Sequence, residues 1–140
     1  MILPNIETFI GCESSFEEAS IVLYGAPFDS TTSFRPGARF GPSAMRHESF
    51  GLETYSPYQD KDLIDISVFD SGDLELCFGS SEMALSDIQK RAEEILKAGK
   101  FPLLLGGEHL VTLGAVRAAA AKYPDPVSYT HLTLPTILRV

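Results

Sequence analysis

The chain has 140 residues, of which 44% are hydrophobic and 21% charged. This length and balance are typical of one globular domain and exclude a disordered, collagen-like or coiled-coil chain. Eleven basic against nineteen acidic residues give a formal charge of -8, which is the wrong sign for a protein that binds nucleic acid through its phosphates. We therefore expect no nucleic-acid partner.

The cysteine count and the N-terminal sequence indicate the cellular compartment of the protein. Cys12 and Cys77 are too few for a disulfide scaffold and too far apart for a CxxC motif. No Lys or Arg precedes Arg35, and no apolar run is long enough to span a bilayer. We expect a cytoplasmic protein with reduced thiols, no secretory signal and no membrane partner.

The first half of the chain contains two predicted strands and a short helix. The apolar run at 21–24 predicts a strand buried on both faces. A polar loop follows, and residues 43–50 are predicted to form a helix with Pro42 in its first turn. Alternating apolar residues predict a second strand at 63–69, ended by Asp70, Ser71 and Gly72.

The second half has stronger patterns. Apolar residues recur every three to four positions over 81–98, which predicts a helix with Ser80 as N-cap and Gly99 as its stop. The run at 101–105 predicts an interior strand of a parallel sheet, and an alanine-rich helix is expected at about 110–122. Strands alternating with helices predict an open α/β sheet.

In such sheets the ligand lies beyond the carboxyl ends of the strands. The segment after the third strand, Gly106-Gly107-Glu108-His109, is the most informative, because two glycines permit a sharp turn that holds an imidazole at the edge of the sheet. A neutral imidazole is a good ligand for a divalent transition metal. Alternatively, His109 is only a hydrogen-bonded residue at a helix end.

Other polar residues admit functional and structural interpretations. The loop at 35–42 could bind an anion or a partner chain, but it lacks both common phosphate-loop spacings, and turn chemistry favours a structural role in which its arginines pair with carboxylates. Turn or capping roles are favoured for Asp29 and Asp73, an inert thiol for Cys77 and a solvated helix face for His47.

Four motifs in order resemble a known family. They are Gly25-Ala26-Pro27-Phe28-Asp29, then Arg35-Pro36-Gly37-Ala38-Arg39-Phe40-Gly41-Pro42 with Ala44-Met45-Arg46, then Asp70-Ser71-Gly72-Asp73-Leu74, and Gly106-Gly107-Glu108-His109. Together they resemble the amino-terminal half of the agmatinases, which belong to the arginase-like ureohydrolases. The resemblance covers about residues 20–128.

This resemblance implies a three-layer α/β/α parallel sheet, here truncated, and an enzyme that hydrolyses agmatine to putrescine and urea. It implies two Mn²⁺ ions sharing a hydroxide that attacks the guanidinium carbon. The first metal ligand of the family matches His109. The resemblance also implies a homo-oligomer when the chain is full length, and arginine, guanidinobutyrate or formiminoglutamate as alternative substrates. A non-catalytic α/β binding module is the alternative from another class.

The last residues depart from the family pattern. The next metal motif, Asp-Ala-His-x-Asp, would fall at 133–137, where Thr133, Pro135 and Ile137 occupy the ligand positions and His131 matches no ligand. All acidic residues lie at or before Asp125. We therefore expect residues 1–127 to be part of one ureohydrolase domain and residues 128–140 to be a non-native tail, which would leave this chain unable to assemble the dimetal centre or release urea.

Overall fold

The computed structural model describes residue 2 and residues 5–130. Three parallel strands form the main sheet: β1 at Ile21–Ala26, β4 at Val68–Asp73 and β5 at Phe101–Gly106, in the order β4-β1-β5. The short strands β2 (Tyr55–Ser56) and β3 (Lys61–Asp62) form a separate antiparallel pair. The helices are α1 at Gly41–Ser49, α2 at Ser81–Lys97 and α3 at Val111–Lys122.

Helices α2 and α3 cover one face of the sheet. Because side chains alternate along a strand, Val22, Tyr24 and Ala26 of β1 point to this face. They join the larger core with apolar residues from both helices, among them Ile88 and Ile95. At Gly114 of α3 a Cβ would come within 2.8 Å of the Ile88 side chain, so a glycine lets the two helices approach closely.

Helix α1 lies on the opposite face. Leu23 and Val68 point there and pack with Cys12 in a smaller core. Asp70 lies two residues beyond Val68, so it points to the same face, where it pairs with Arg46 of α1. The sheet with helices on both faces confirms the predicted three-layer α/β/α arrangement.

The N-terminal segment runs along β4. Glu13 forms an antiparallel bridge with Phe69, Ser14 donates its N–H to the carbonyl of Val68, and Asn5 donates to that of Asp70. β4 therefore has backbone partners on both sides. On the other side of the sheet, β5 pairs with β1 and has no second strand among residues 5–130.

Two predicted strands differ from the structure. The strand expected at 63–69 is a 3₁₀ turn at Leu63–Asp65 followed by β4, because the Asp62 carboxylate accepts the N–H of Ile64 and caps the turn. β4 continues to Asp73 because Gly72, at φ 73°, accommodates a shift in its pairing with β1. The strand predicted to be interior, β5, lies at the edge of the described sheet, with Phe101 63% and Leu103 41% exposed.

Candidate functional site

The carboxyl ends of β1, β4 and β5 bring together the three segments that the sequence singled out. These are the loop that begins at Pro27, the end of β4 at Asp73, and the turn from Gly106 to His109. Parallel strands place these segments at the same side of the sheet, as predicted.

The turn that carries His109 is bonded to the loop after β1. Gly107 donates its N–H to the carbonyl of Ala26 (3.0 Å), and Glu108 donates to that of Phe28 (2.8 Å). A Cβ at Gly107 would overlap the carbonyl oxygen of Phe28. The close approach of these two backbones therefore requires glycine at position 107.

His109 lies just before α3 and is exposed. Its carbonyl accepts the N–H of Thr112 at 3.2 Å, which begins the first turn of the helix. The structure thus places the imidazole at the rim of the sheet, as expected. Its role as a metal ligand stays a prediction.

Glu108 tethers the turn to a second point of the β1 loop. One carboxylate oxygen, Oε1, accepts both the hydroxyl of Thr31 (2.6 Å) and its backbone N–H (3.2 Å). Sequence reasoning missed this contact, since the two residues lie 77 positions apart.

An open groove of about 420 Å³ runs beside the turn. Its lining residues come from the loop after β1 and from the start of α3, and include Thr32, Phe34, Arg35, Ala38, His109 and Thr112. The groove therefore joins His109 to the loop at 35–42.

Asp29 organises the base of that loop. Its buried carboxylate accepts the backbone N–H of Gly37 (2.6 Å) and of Arg39 (3.2 Å), and its Oδ1 pairs with Nε of Arg39 at 2.6 Å. The Arg39 side chain is the main reason that the pKa of Asp29 lies below its ordinary value, against the opposing effect of burial. The structural interpretation of Asp29 and Arg39 is confirmed.

Arg39 also packs on an aromatic pair. Its guanidinium lies 4.7 Å from the centre of the Phe78 ring, and Phe78 stacks on Phe28 at 6.2 Å. Arg39 is thus held by a carboxylate and a ring. Arg35 lies nearer the tip, exposed, with its guanidinium 5.2 Å from the Phe34 ring centre. An anion-binding role for the loop would therefore rest on Arg35 alone.

A buried ion-pair network joins α1 to β4. Arg46, only 2% exposed, donates Nε to Asp70 Oδ2 (2.8 Å), Nη2 to Asp70 Oδ1 (3.0 Å) and Nη1 to Asp73 Oδ1 (2.5 Å). Burial disfavours the charged guanidinium, but the hydrogen bonds to both carboxylates outweigh it and raise the pKa of Arg46. Asp73 is therefore an ion-pair partner as well as a strand-end residue.

Only one feature of the sequence pointed to this network, which is an Arg in a short predicted helix within the shared motifs. It did not indicate the pairing. Gly25 leaves the space for it, since a Cβ there would overlap the Asp73 carboxylate.

The cysteines and His47 lie apart from the groove lining. Burial, with Asp70 nearby, raises the pKa of the Cys12 thiol to about 11. Cys77 is half-buried and also free. His47 is exposed on α1 with Nδ1 3.2 Å from Glu7 Oε1, which agrees with a solvated helix face.

The described residues do not by themselves fit a two-metal centre. Among residue 2 and residues 5–130, no group of three or more His, Cys, Asp or Glu side chains is arranged to hold a metal ion. His131, Thr133, Pro135 and Ile137 lie outside the described residues. Within the described part of the chain, no helix has both the length and the apolar character needed to cross a membrane.

Comparison with known proteins agrees with this geometry. The model of the Arginase family matches residues 19–132. The chain is 48% identical over 134 residues to an agmatinase of Bacillus subtilis (strain 168), covering 96% of this chain and 46% of that protein.

Solved structures share the fold. The crystal structure of the agmatine ureohydrolase of Thermoplasma volcanium superposes with a TM-score of 0.76 at 33% identity, covering 81% of this chain and 39% of that chain. A Trypanosoma cruzi formiminoglutamase solved with Mn²⁺ gives a TM-score of 0.68 at 26% identity, covering 79% of this chain and 39% of that one.

This chain spans about half the length of the curated relatives that it matches. The family model covers most of its residues, and the strand order, the glycine-dependent turn and the loop at 35–42 all fall within the matched segment. The chain belongs to the Arginase family.

Proposed function

We propose that the intact protein hydrolyses agmatine to putrescine and urea, and that His109 supplies one ligand to a pair of Mn²⁺ ions. The observation that carries the proposal is the exposed His109 on the tightly bonded turn after β5, within a segment 48% identical to an agmatinase. Mn²⁺ in a related formiminoglutamase supports the choice of metal. When bound, such ions would supply a nucleophile at neutral pH, because a metal ion lowers the pKa of water.

The remaining contribution of this chain is to build the groove. The Asp29–Arg39 pair fixes the base of the loop at 35–42, and the turn at Gly107 brings His109 against the same groove. No three-donor group exists among residue 2 and residues 5–130. We therefore propose that the 140-residue chain alone releases no urea, because one imidazole cannot hold two ions.

A urea assay with agmatine and Mn²⁺ tests both statements. Intact protein carrying the native sequence after residue 127 is expected to produce urea, and the 140-residue chain is expected to produce none. His109→Asn in the intact protein should abolish Mn²⁺-dependent turnover, whereas His47→Asn, on the exposed face of α1, should leave it unchanged. Turnover by the 140-residue chain would contradict the proposal of inactivity.

The substrate is the less constrained part of the proposal. Agmatine shares its reacting guanidinium group with arginine and guanidinobutyrate, and formiminoglutamate carries a similar group. The metal chemistry therefore does not distinguish these four compounds. Comparing kcat/KM for the four compounds on the intact protein would decide. A higher value for any of the other three would replace agmatine as the substrate.

We also propose that residues 1–127 are part of one ureohydrolase domain and that residues 128–140 are a non-native tail. The loss of acidic residues after Asp125 and the absence of donor atoms at Pro135 and Ile137 support this. Sequencing the gene from an independent clone past the codon for Ser128 is expected to reveal Asp-Ala-His-x-Asp. The same 13 residues in that clone would contradict the boundary.

A homo-oligomer is proposed for the intact protein, and light scattering coupled to gel filtration would measure its mass.

The predicted cytoplasmic location and the predicted lack of a nucleic-acid partner stay predictions. For the alternative of a binding module, Arg39 is engaged with Asp29 and Phe78, so an anion would have to bind through Arg35, the exposed arginine of the described loop at 35–42 that packs on Phe34.

A further inference from the structure

We propose that Thr31 is a positioning residue for His109. It acts through the Glu108 carboxylate, which accepts both the hydroxyl (2.6 Å) and the backbone N–H (3.2 Å) of Thr31. The inference rests on the proposed function for the importance of His109, but the tether itself is independent of any metal.

Backbone hydrogen bonds hold the turn at both of its ends, toward the loop after β1 and toward the start of α3. Gly107 and Glu108 donate to the carbonyls of Ala26 and Phe28, while the carbonyl of Glu108 accepts from Val111 and that of His109 from Thr112. The N–H of His109 donates no hydrogen bond to any of the described residues. The side chain of Glu108, the immediate neighbour of His109, adds a contact that ties this part of the turn to Thr31.

The contact also links two walls of the groove. Thr31 stands at the start of the loop whose residues Thr32, Phe34 and Arg35 form one wall, and Glu108 adjoins His109 on the other. Arg39 fixes the far end of this loop through Asp29. With Thr31 bonded to Glu108 and Arg39 bonded to Asp29, the segment 32–38 is held on both sides, and its residues line the same groove as His109.

The hydroxyl is the shorter of the two bonds and the one that a substitution at position 31 can remove, because the backbone N–H stays in every variant. Serine offers the same donor, whereas valine keeps the branched shape of threonine without it. Thr32 provides a matched control, because its hydroxyl donates to the carbonyl of Asp29 within its own loop and does not reach the turn.

Hydrogen–deuterium exchange of the 140-residue chain, read by mass spectrometry on peptides spanning 106–113, tests the tether. Thr31→Val is expected to speed exchange in this peptide about three- to tenfold, as expected for loss of one hydrogen bond. Thr31→Ser should restore the wild-type rate, and Thr32→Val should leave the peptide unchanged. Peptides from α2 should exchange equally in all variants.

Three outcomes would overturn the proposal: an unchanged rate in Thr31→Val, failure of Thr31→Ser to restore it, or an equal acceleration in α2, which would indicate a general loss of stability. None of these depends on Mn²⁺ or urea. If His109→Asn leaves the intact enzyme active while Thr31→Val still loosens the turn, the proposed function fails and the positioning inference stands.

Discussion

Arg46 and Asp70 form a two-point ion pair between α1 and β4, with Nε to Oδ2 at 2.8 Å and Nη2 to Oδ1 at 3.0 Å. Asp70 is 1% exposed and also accepts the N–H groups of Phe9 and Gly72. This carboxylate therefore joins the helix, the strand and the N-terminal segment at one buried point.

Arg46→Met is expected to destabilise the fold by about 3–5 kcal/mol, because it leaves the Asp70 carboxylate buried without its cation. Arg117→Met, on the exposed surface of α3, is the matched control and should change stability by less than about 0.5 kcal/mol. Urea unfolding followed by circular dichroism measures both. Equal midpoints for the two variants would show that the network contributes little.

Gly107→Ala should be destabilising by about 1–3 kcal/mol or more, since the new Cβ would overlap the carbonyl oxygen of Phe28 and force the two backbones apart. At Gly79 the nearest atom to an added Cβ is 4.0 Å away, so Gly79→Ala serves as the control. Thermal melting of both variants gives the comparison. A Gly107→Ala melting temperature equal to that of the control would contradict the close approach at the turn.

The protein is expected to lose stability in acid because of the Asp29–Arg39 ion pair. The pairing of Asp29 with Arg39 lowers the pKa of the folded carboxyl below the ordinary value of 3.8. The folded carboxylate therefore stays ionised where the unfolded one takes up a proton, so its stabilising contribution is complete above the unfolded pKa and is lost as pH falls through the folded pKa.

Asp29→Asn should accordingly lower the urea midpoint at about pH 7 and flatten its decline toward about pH 3. Asp125→Asn, at an exposed position, should follow the wild-type curve. Parallel curves for wild type and Asp29→Asn would remove the ion pair as the cause of acid sensitivity.

The two thiols should differ in reactivity. Burial raises the pKa of Cys12 from 9.0 to about 11, so at about pH 8 it carries almost no thiolate, and its side chain is inaccessible. Iodoacetamide is expected to modify half-buried Cys77 first, as measured by mass spectrometry of digested native protein. In urea both should react at similar rates, and fast native labelling of Cys12 would contradict its burial.

The protein is also expected to lose stability in alkali, because the thiol of Cys12 is buried. Because its folded pKa is raised, its contribution is present below about pH 9 and is lost as pH rises toward 11, where the unfolded thiol ionises before the folded one. Cys12→Ala should reduce the slope of stability against pH in this window. Tyr24, whose pKa burial raises from 10.0 to about 12, would add its own loss of stability between about pH 10 and pH 12, overlapping the upper part of the Cys12 window.

The exposed apolar side of β5 should promote self-association of the chain. Leu103→Lys is expected to reduce light scattering at a given concentration, since it places a charge on an apolar strand that has no second neighbour among residues 5–130 and is open to pairing with another chain. Leu113 of α3 has nearly the same exposure, 40% against 41% for Leu103. Leu113→Lys therefore shows how much of the effect comes from removing any exposed leucine and how much is specific to β5. Equal effects of the two lysines would argue against association through β5.

Local signals predicted the helices well. The Ser80 cap, which accepts the N–H of Met83, and Gly99, at φ 75°, define α2 to within one residue of the prediction. These signals work because each contact spans only a few residues.

The errors have one local and several non-local causes. Alternation of Leu63, Ile64 and Ile66 imitates a strand, but the Asp62 cap stabilises a 3₁₀ turn there. Whether β5 is interior or at an edge depends on strands elsewhere in the chain. The Arg46–Asp70 pair and the Thr31–Glu108 tether join residues 24 and 77 positions apart, which no periodicity specifies.

Because the N-terminal segment runs along β4, the described sheet has only one edge, at β5, to which a further strand can be added. With β4 covered, any strand that enlarges the sheet has to dock beside β5. The backbone N–H groups of Phe101 and Gly107 donate toward β1. Because backbone groups alternate in direction along a strand, those of Pro102, Leu104 and Gly106 point away from β1. Pro102 has no N–H, and an incoming strand would find its backbone donors at Leu104 and Gly106, which draws its pairing toward the end of β5 that leads into His109.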